Sequence, residues 1–266
     1  MSEFNKLGIV INYEFLKHIR RARLWVILGI ALLADALVLI LIPVLQDGYP
    51  DSVLTMAALM TVGPTFAVLG AVFFAGDAIA GEYENKTGFM LFTNPIKKIT
   101  LWTGKYLAGY IAVTLLIIFT YIITVVSLLV IYGEVPFDTL KSWGLAQLYG
   151  AAVLSVTFFF SSISKGSMGA TIITLVFIWV ISGIVQSVLA FTGNPYWYLI
   201  SAQGDSISMV YGGLDAFMGG FGGGEGFGNM FDYEIPTIAE SAWGMVIYLV
   251  LGFGLSIWIA GRRQLA

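Results

Sequence analysis

The chain has 266 residues, 58% of them apolar and only 11% charged, with a formal net charge of −3. A soluble domain carries roughly a quarter of its residues as charges, so most of this surface must face lipid. The acidic balance offers no basic face for nucleic acid, the lack of cysteine excludes disulfides and thiolate sites, and the single histidine, His18, excludes an imidazole metal cluster.

Residues 1–23 are polar and amphipathic, unlike the short apolar run and small-residue cleavage site of a signal peptide. Phe4, Gly8, Ile11, Phe15, Ile19 and Ala22 recur at helical spacing, while Asn5, Asn12, Lys17 and Arg20 lie elsewhere on the wheel. This predicts a helix lying in the inner membrane interface with its cations toward lipid phosphates. His18 falls on its polar or boundary face, where a proton switch is the lesser reading.

A bilayer core of about 30 Å takes about 20 apolar residues as a helix. Segments 24–45, 53–76, 106–131, 143–162, 168–191 and 242–260 qualify, predicting an all-α integral membrane protein with a single six-span transmembrane domain. The second contains Gly63-Pro64, where the missing proline N–H should kink the helix. Asp35 is the one acid in the interior of a span. An unpaired ion there costs at least about 2.5 kcal/mol, so it should face protein or water. Two readings stay open: a hydrogen bond to Ser, Thr or Gln of a neighbouring span, or a place on a pathway. Thr114, Thr174 and Gln186 supply further polar groups within spans, and Trp179, in mid-span, is expected to pack.

With the N-terminus inside, every lysine and arginine except Lys141 falls on the inner side, and most acids fall in the outer loops. The positive-inside rule therefore sets both termini in the cytoplasm of a cell-membrane protein. Trp25, Trp102 and Trp258 lie near inner span ends, and Tyr49, Trp143, Trp197 and Trp243 near outer ones. The longest outer segment, 192–241, holds PYWYLIS at 195–201, which suits a short interfacial helix, and GGFGGGEGFG at 219–228, too glycine-dense to nucleate regular structure cheaply. Met209, Met218 and Met230 in that segment are irregularly spaced, as filler rather than soft-metal ligands would be.

The inner segment 77–105 carries the specific information. From Gly76 to Leu107 the chain reads GDAIAGEYENKTGFMLFTNPIKKITLWTGKYL, and its polarity alone indicates a cytoplasmic loop with a short amphipathic helix. Its spacing resembles the coupling segment of ABC transporter permeases of the type-2 exporter class. Glu82 and Glu84 match the family's acidic pair, Thr87 its threonine, and Met90, Leu91 and Phe92 its short apolar helix; Pro95 follows, then Lys98 where arginine is usual, and Gly104-Lys105 opens the third span. Lys86 stands where the family has glycine.

The resemblance implies a permease subunit, dimeric with a second copy or a homologous permease. Its short helix would be the coupling helix, seated on a separate ATP-binding cassette subunit whose closure around ATP moves the spans. ATP and Mg would belong to that partner. This chain lacks the G-x-x-x-x-G-K-[ST] phosphate cradle, since Tyr106 follows Gly104-Lys105. The rival class is a stand-alone secondary transporter or channel, which more often shows inverted repeats and several midplane polar groups.

Overall fold

The computed structural model describes residues 2–86, 96–212 and 236–263, and these residues form helices and connections with no strand. Six helical spans are long and apolar enough to cross a membrane: Ala22–Leu45, Val53–Glu84, Lys98–Tyr132, Asp138–Ile163, Ser167–Phe191 and Ile238–Arg262. They are numbered one to six below.

An N-terminal helix, Glu3–Arg20, precedes span one. Ser2 caps it by accepting from the Asn5 N–H at 3.3 Å, Glu3 sits in its first turn, and Lys17 and Arg20 sit in its last, each charge matching the helix dipole. Arg21, in extended conformation, breaks it from span one. Thr100 donates to Glu3 and Lys98 to the Gly261 carbonyl. The N-terminal helix, the start of span three and the end of span six therefore share one end of the bundle, here called the basic end.

Span two is not one continuous helix. It runs as Val53–Leu59, Val62–Ala75 and Ala80–Glu84. The first interruption, at Met60–Thr61, follows from Pro64: the Met60 carbonyl is the acceptor four residues before a proline that has no N–H. Thr65 compensates locally, donating both its N–H and its hydroxyl to the Thr61 carbonyl. Gly63 at this break has no side chain because the Asp35 carboxyl of span one occupies the space; a Cβ would lie 2.1 Å from Oδ1.

Spans two and four form the centre, with 71% and 72% of their apolar windows buried against 17% for span five and 22% for span six. Span four holds its place through small and hydroxyl residues. Gly150 admits Val113 and Ile117, and Gly252 of span six lies against the Ser155 backbone, the close helix approach that small residues permit in lipid. Tyr106 of span three donates to the Ala151 carbonyl at 3.0 Å and lies 2.9 Å from Ser155 Oγ, and Tyr121 meets Ser142 at 2.7 Å. Trp102 is fully buried in this core, so it belongs to the packing and not to a lipid-facing aromatic belt.

Span five changes pitch midway, with a π-helical stretch Val176–Ile181 between Ser167–Leu175 and Ser182–Phe191. Beyond it a short helix, Ile200–Met209, folds back onto the bundle, five residues later than the PYWYLIS start. Ser142 of span four donates to its Ile207 carbonyl at 2.7 Å, and its Ser201 hydroxyl sits 2.8 Å from Ser182 of span five. The glycine-rich stretch 219–228 lies outside the described residues.

Candidate functional site

Two polar regions stand out, one at each end of the bundle. At the basic end Lys105, near the start of span three, is fully buried. Its Nζ lies 2.7 Å from Glu14 Oε1 of the N-terminal helix and 2.6 Å from Glu82 Oε1 of the Ala80–Glu84 turn. Lys17 adds a second cation, 3.2 Å from Glu14 Oε2 and 4.0 Å from Glu82 Oε1. Two carboxylates thus face two ammonium groups from three separate elements. Burial acts to raise the Glu14 carboxyl, but Lys105 and Lys17 together outweigh it and hold that group below its usual range.

The same region is fastened on every side. Asp77 pairs with Arg21 and, at 3.2 Å, with Arg23. Ser161 of span four accepts from the Ile79 and Ala80 N–H groups and donates to the Gly76 carbonyl. Arg263 stacks over the Tyr83 ring at 4.3 Å and donates to the Ser162 and Ser164 carbonyls. His18 is buried 5.1 Å, centroid to centroid, from Phe74, and burial pushes its imidazole down to about 4. It is a neutral packing group at neutral pH.

Of the residues singled out from sequence, Glu82 and Lys105 meet each other. Glu84 does not join them; its Oε2 accepts from both the N–H and the hydroxyl of Ser167 at 2.8 Å, capping the first helix of span five. Gly104 is where the N-terminal helix crosses span three, since a Cβ there would lie 2.5 Å from Val10 Cγ1. Lys98 reaches the end of span six. Lys86, in the family's glycine position, has φ 55°, the left-handed conformation that glycine adopts without cost. Thr87, Met90, Leu91, Phe92 and Pro95 lie outside the described residues.

At the other end, a cavity of about 520 Å³ opens between span two, span five and the Ile200–Met209 helix. Thr61, Thr65, Gln186, Ser187, Ser201 and Asp205 give it a polar lining, and Phe66, Tyr149 and Trp179 its aromatic one. Gln186 donates to Asp205 Oδ2 at 2.7 Å. Protein atoms ring the Asp205 carboxylate although the cavity leaves it open to water; burial pushes it above the usual carboxylate range, and the Gln186 bond draws it part way back. Trp179, expected to pack, is 54% exposed and forms a wall of this cavity. Asp35 does not line it, and neither of its oxygens finds a side-chain partner among the described residues.

Sequence reasoning missed Glu14, Asp77 and Asp205. Glu14 carries a local signal, the i, i+3 spacing to Lys17, but nothing local points to Lys105. Asp205 is the one acid in the serine-rich ISAQGDSISM stretch, a signal masked by the length of the 192–241 segment that contains it.

Six apolar spans around a polar-laced centre define a multi-pass membrane protein. A family model described as ABC-2 family transporter protein matches residues 10–181, which include the basic-end ion pairs and spans one to four, and the chain belongs to that family. Among curated proteins no relative matches it. Membrane permeases of this family pair with ATP-binding subunits.

Proposed function

We propose that this chain is the permease subunit of an ABC exporter, with the basic end in the cytoplasm and the segment between Lys86 and Ile96 docked on a separate ATPase. The cation distribution supports the orientation: Lys6, Lys17, Arg20, Arg21, Arg23, Lys97, Lys98, Lys105 and Arg263 all belong to elements gathered at that end. The N-terminal helix, with Phe4 and Tyr13 exposed, then lies in the inner interface. The apolar faces of spans one, five and six meet lipid and a second permease, either a copy or a homologue.

The carrying observation is the Glu14–Lys105–Glu82 cluster. It ties the N-terminal helix to both chain segments that flank the docking loop. A displacement of the loop would move this joint as one body, and Glu84, bound to Ser167, extends the same connection to span five. ATP-driven closure of two ATPase subunits would thus reach the spans that line the outer cavity, the rigid-body route of alternating access.

The test is capture of the ATPase from detergent extract. Leu91→Asp with Phe92→Asp should leave the protein monodisperse and abolish capture, because the apolar side chains that a partner would cover have become charged. Full recovery of the ATPase with the double variant would sink the docking assignment and favour a stand-alone transporter.

A further inference from the structure

Asp205 is a carboxylate that the architecture above does not use. Gln186 satisfies Oδ2, and Oδ1 has no hydrogen-bond partner among the described residues. No lysine or arginine lines the cavity it faces, and no salt bridge reaches it among those residues. Its surroundings are built to receive something. Gly204 lacks a side chain where the Tyr149 hydroxyl would lie 2.8 Å from a Cβ, which brings that ring to the cavity floor. The π-helical stretch of span five contains Ile178 and Trp179, which form the opposite wall, and such departures from α-helical pitch often mark functional sites. Thr61 and Thr65, at the break in span two, contribute hydroxyls.

We infer that this outer cavity is a binding site for an amphiphilic organic cation, an ammonium or phosphonium-type group carried on an apolar body, with Asp205 as its counter-ion. The carboxylate supplies the charge, and Trp179, Phe66 and Tyr149 supply aromatic faces that attract a cation and cover its apolar body. The volume of about 520 Å³ suits a ligand of drug or lipid-headgroup size. An anion would meet an unscreened carboxylate. A divalent metal would lack ligands, since no group of three acidic or histidine side chains converges among the described residues. Asp47, Asp51 and Glu134, in the connections at the same end, bias that surface toward cations. The inference rests on the transporter reading only for its orientation and for the fate of the ligand, and binding itself can be tested apart from both.

The experiment uses the full purified chain in nanodiscs of phosphatidylglycerol alone or mixed with phosphatidylethanolamine, and radiolabelled tetraphenylphosphonium as the probe. Saturable binding to the wild type is expected, weakened at least about tenfold by Asp205→Asn and partly restored by Asp205→Glu. Competition by phosphatidylethanolamine would assign the site to an aminolipid headgroup; indifference to it would assign the site to a free organic cation. Equal binding by Asp205→Asn and wild type, or no saturable binding in either lipid, overturns the proposal. Should Asp205→Asn fail to assemble, Trp179→Leu, on an exposed wall, is the second variant, and unweakened binding there overturns it equally. Lost ATPase capture with binding intact would count against the exporter reading and leave the site standing.

Discussion

The two ends of this bundle treat charge in opposite ways. At the basic end every carboxylate of the Glu14, Asp77 and Glu82 group meets a cation, and the buried Lys105 meets two carboxylates. At the far end Asp205 meets only an amide among the described residues. A buried charge with its partners present holds elements in a fixed relation, because separating them would strand an ion in a poor solvent. A carboxylate bound to one amide in an open cavity holds no elements together and stays available to a ligand. The basic end is thus a joint and the far end a receptor, and the two should fail in different ways.

The largest expected effect breaks the joint. Lys105→Met removes the buried cation and leaves Glu14 and Glu82 close together with the more exposed Lys17, 3.2 Å from Glu14 and 4.0 Å from Glu82, as their remaining counter-charge. Breaking a buried pair outright costs about 3–5 kcal/mol, and with Lys17 still present the loss falls toward the lower end of that range. Unfolding in a denaturing detergent titration should therefore shift strongly to lower denaturant, and Glu82→Gln in the same chain should restore part of the loss. Cation binding at Asp205 should survive in whatever fraction stays folded. A stability change within error of wild type would mean that these ion pairs are not what holds the N-terminal helix to span three.

A smaller effect comes from pH. His18 sits neutral against Phe74, with Glu14, Asp77, Lys17 and Arg21 around it, and its imidazole is pushed from an ordinary 6.5 down to about 4. The folded state thus binds fewer protons than the unfolded state between those values, and stability must rise with pH across that window. It is fully present above about 6.5 and lost progressively as pH falls toward 4, by about 3 kcal/mol in all. His18→Gln should flatten the stability profile over that interval, while the titration of Glu14, held below its usual range, still acts at lower pH. A profile unchanged by His18→Gln would show that the acid sensitivity belongs to the carboxylates alone.

How much of this was legible beforehand depended on how local the cause was. The spans follow from runs of apolar residues long enough to cross a bilayer, and the interruption of span two from Pro64, although the break falls at Met60–Thr61 because the lost hydrogen bond is felt four residues earlier. The family resemblance rested on spacings within the 77–105 segment, and the match over residues 10–181 supports it. The joint is half legible: Glu82 and Lys105 stand at motif positions, but Glu14 joins them only through packing between residues 91 apart in sequence. The role of Glu84 as the cap of span five was likewise hidden, since Ser167 is 83 residues away. The cavity was not legible, because a π-helical stretch has no sequence signature here and a ten-residue amphipathic helix in a long loop is a weak pattern.

The smallest effect loosens the joint without touching a charge. Gly104 lets the N-terminal helix lie directly on span three, and Val10, nearly fully buried, fills the space above it. In Gly104→Ala the new Cβ would come 2.5 Å from Val10 Cγ1 and 2.9 Å from Val10 Cβ, so one helix must move. Overpacking of this kind costs about 1–3 kcal/mol, and the better helix propensity of alanine returns up to about 1 kcal/mol. The net loss should be about 1 kcal/mol. Val10→Ala, which alone opens a small cavity, should cost less in the Gly104→Ala chain than in wild type, because there it also relieves the clash. That non-additivity is the informative quantity. Because the shift of the N-terminal helix also carries Glu14 away from Lys105, ATPase-driven transport should drop further than stability does. If the two substitutions prove additive, the helix reaches span three through its ion pairs alone, and the close approach at Gly104 has no part in the joint.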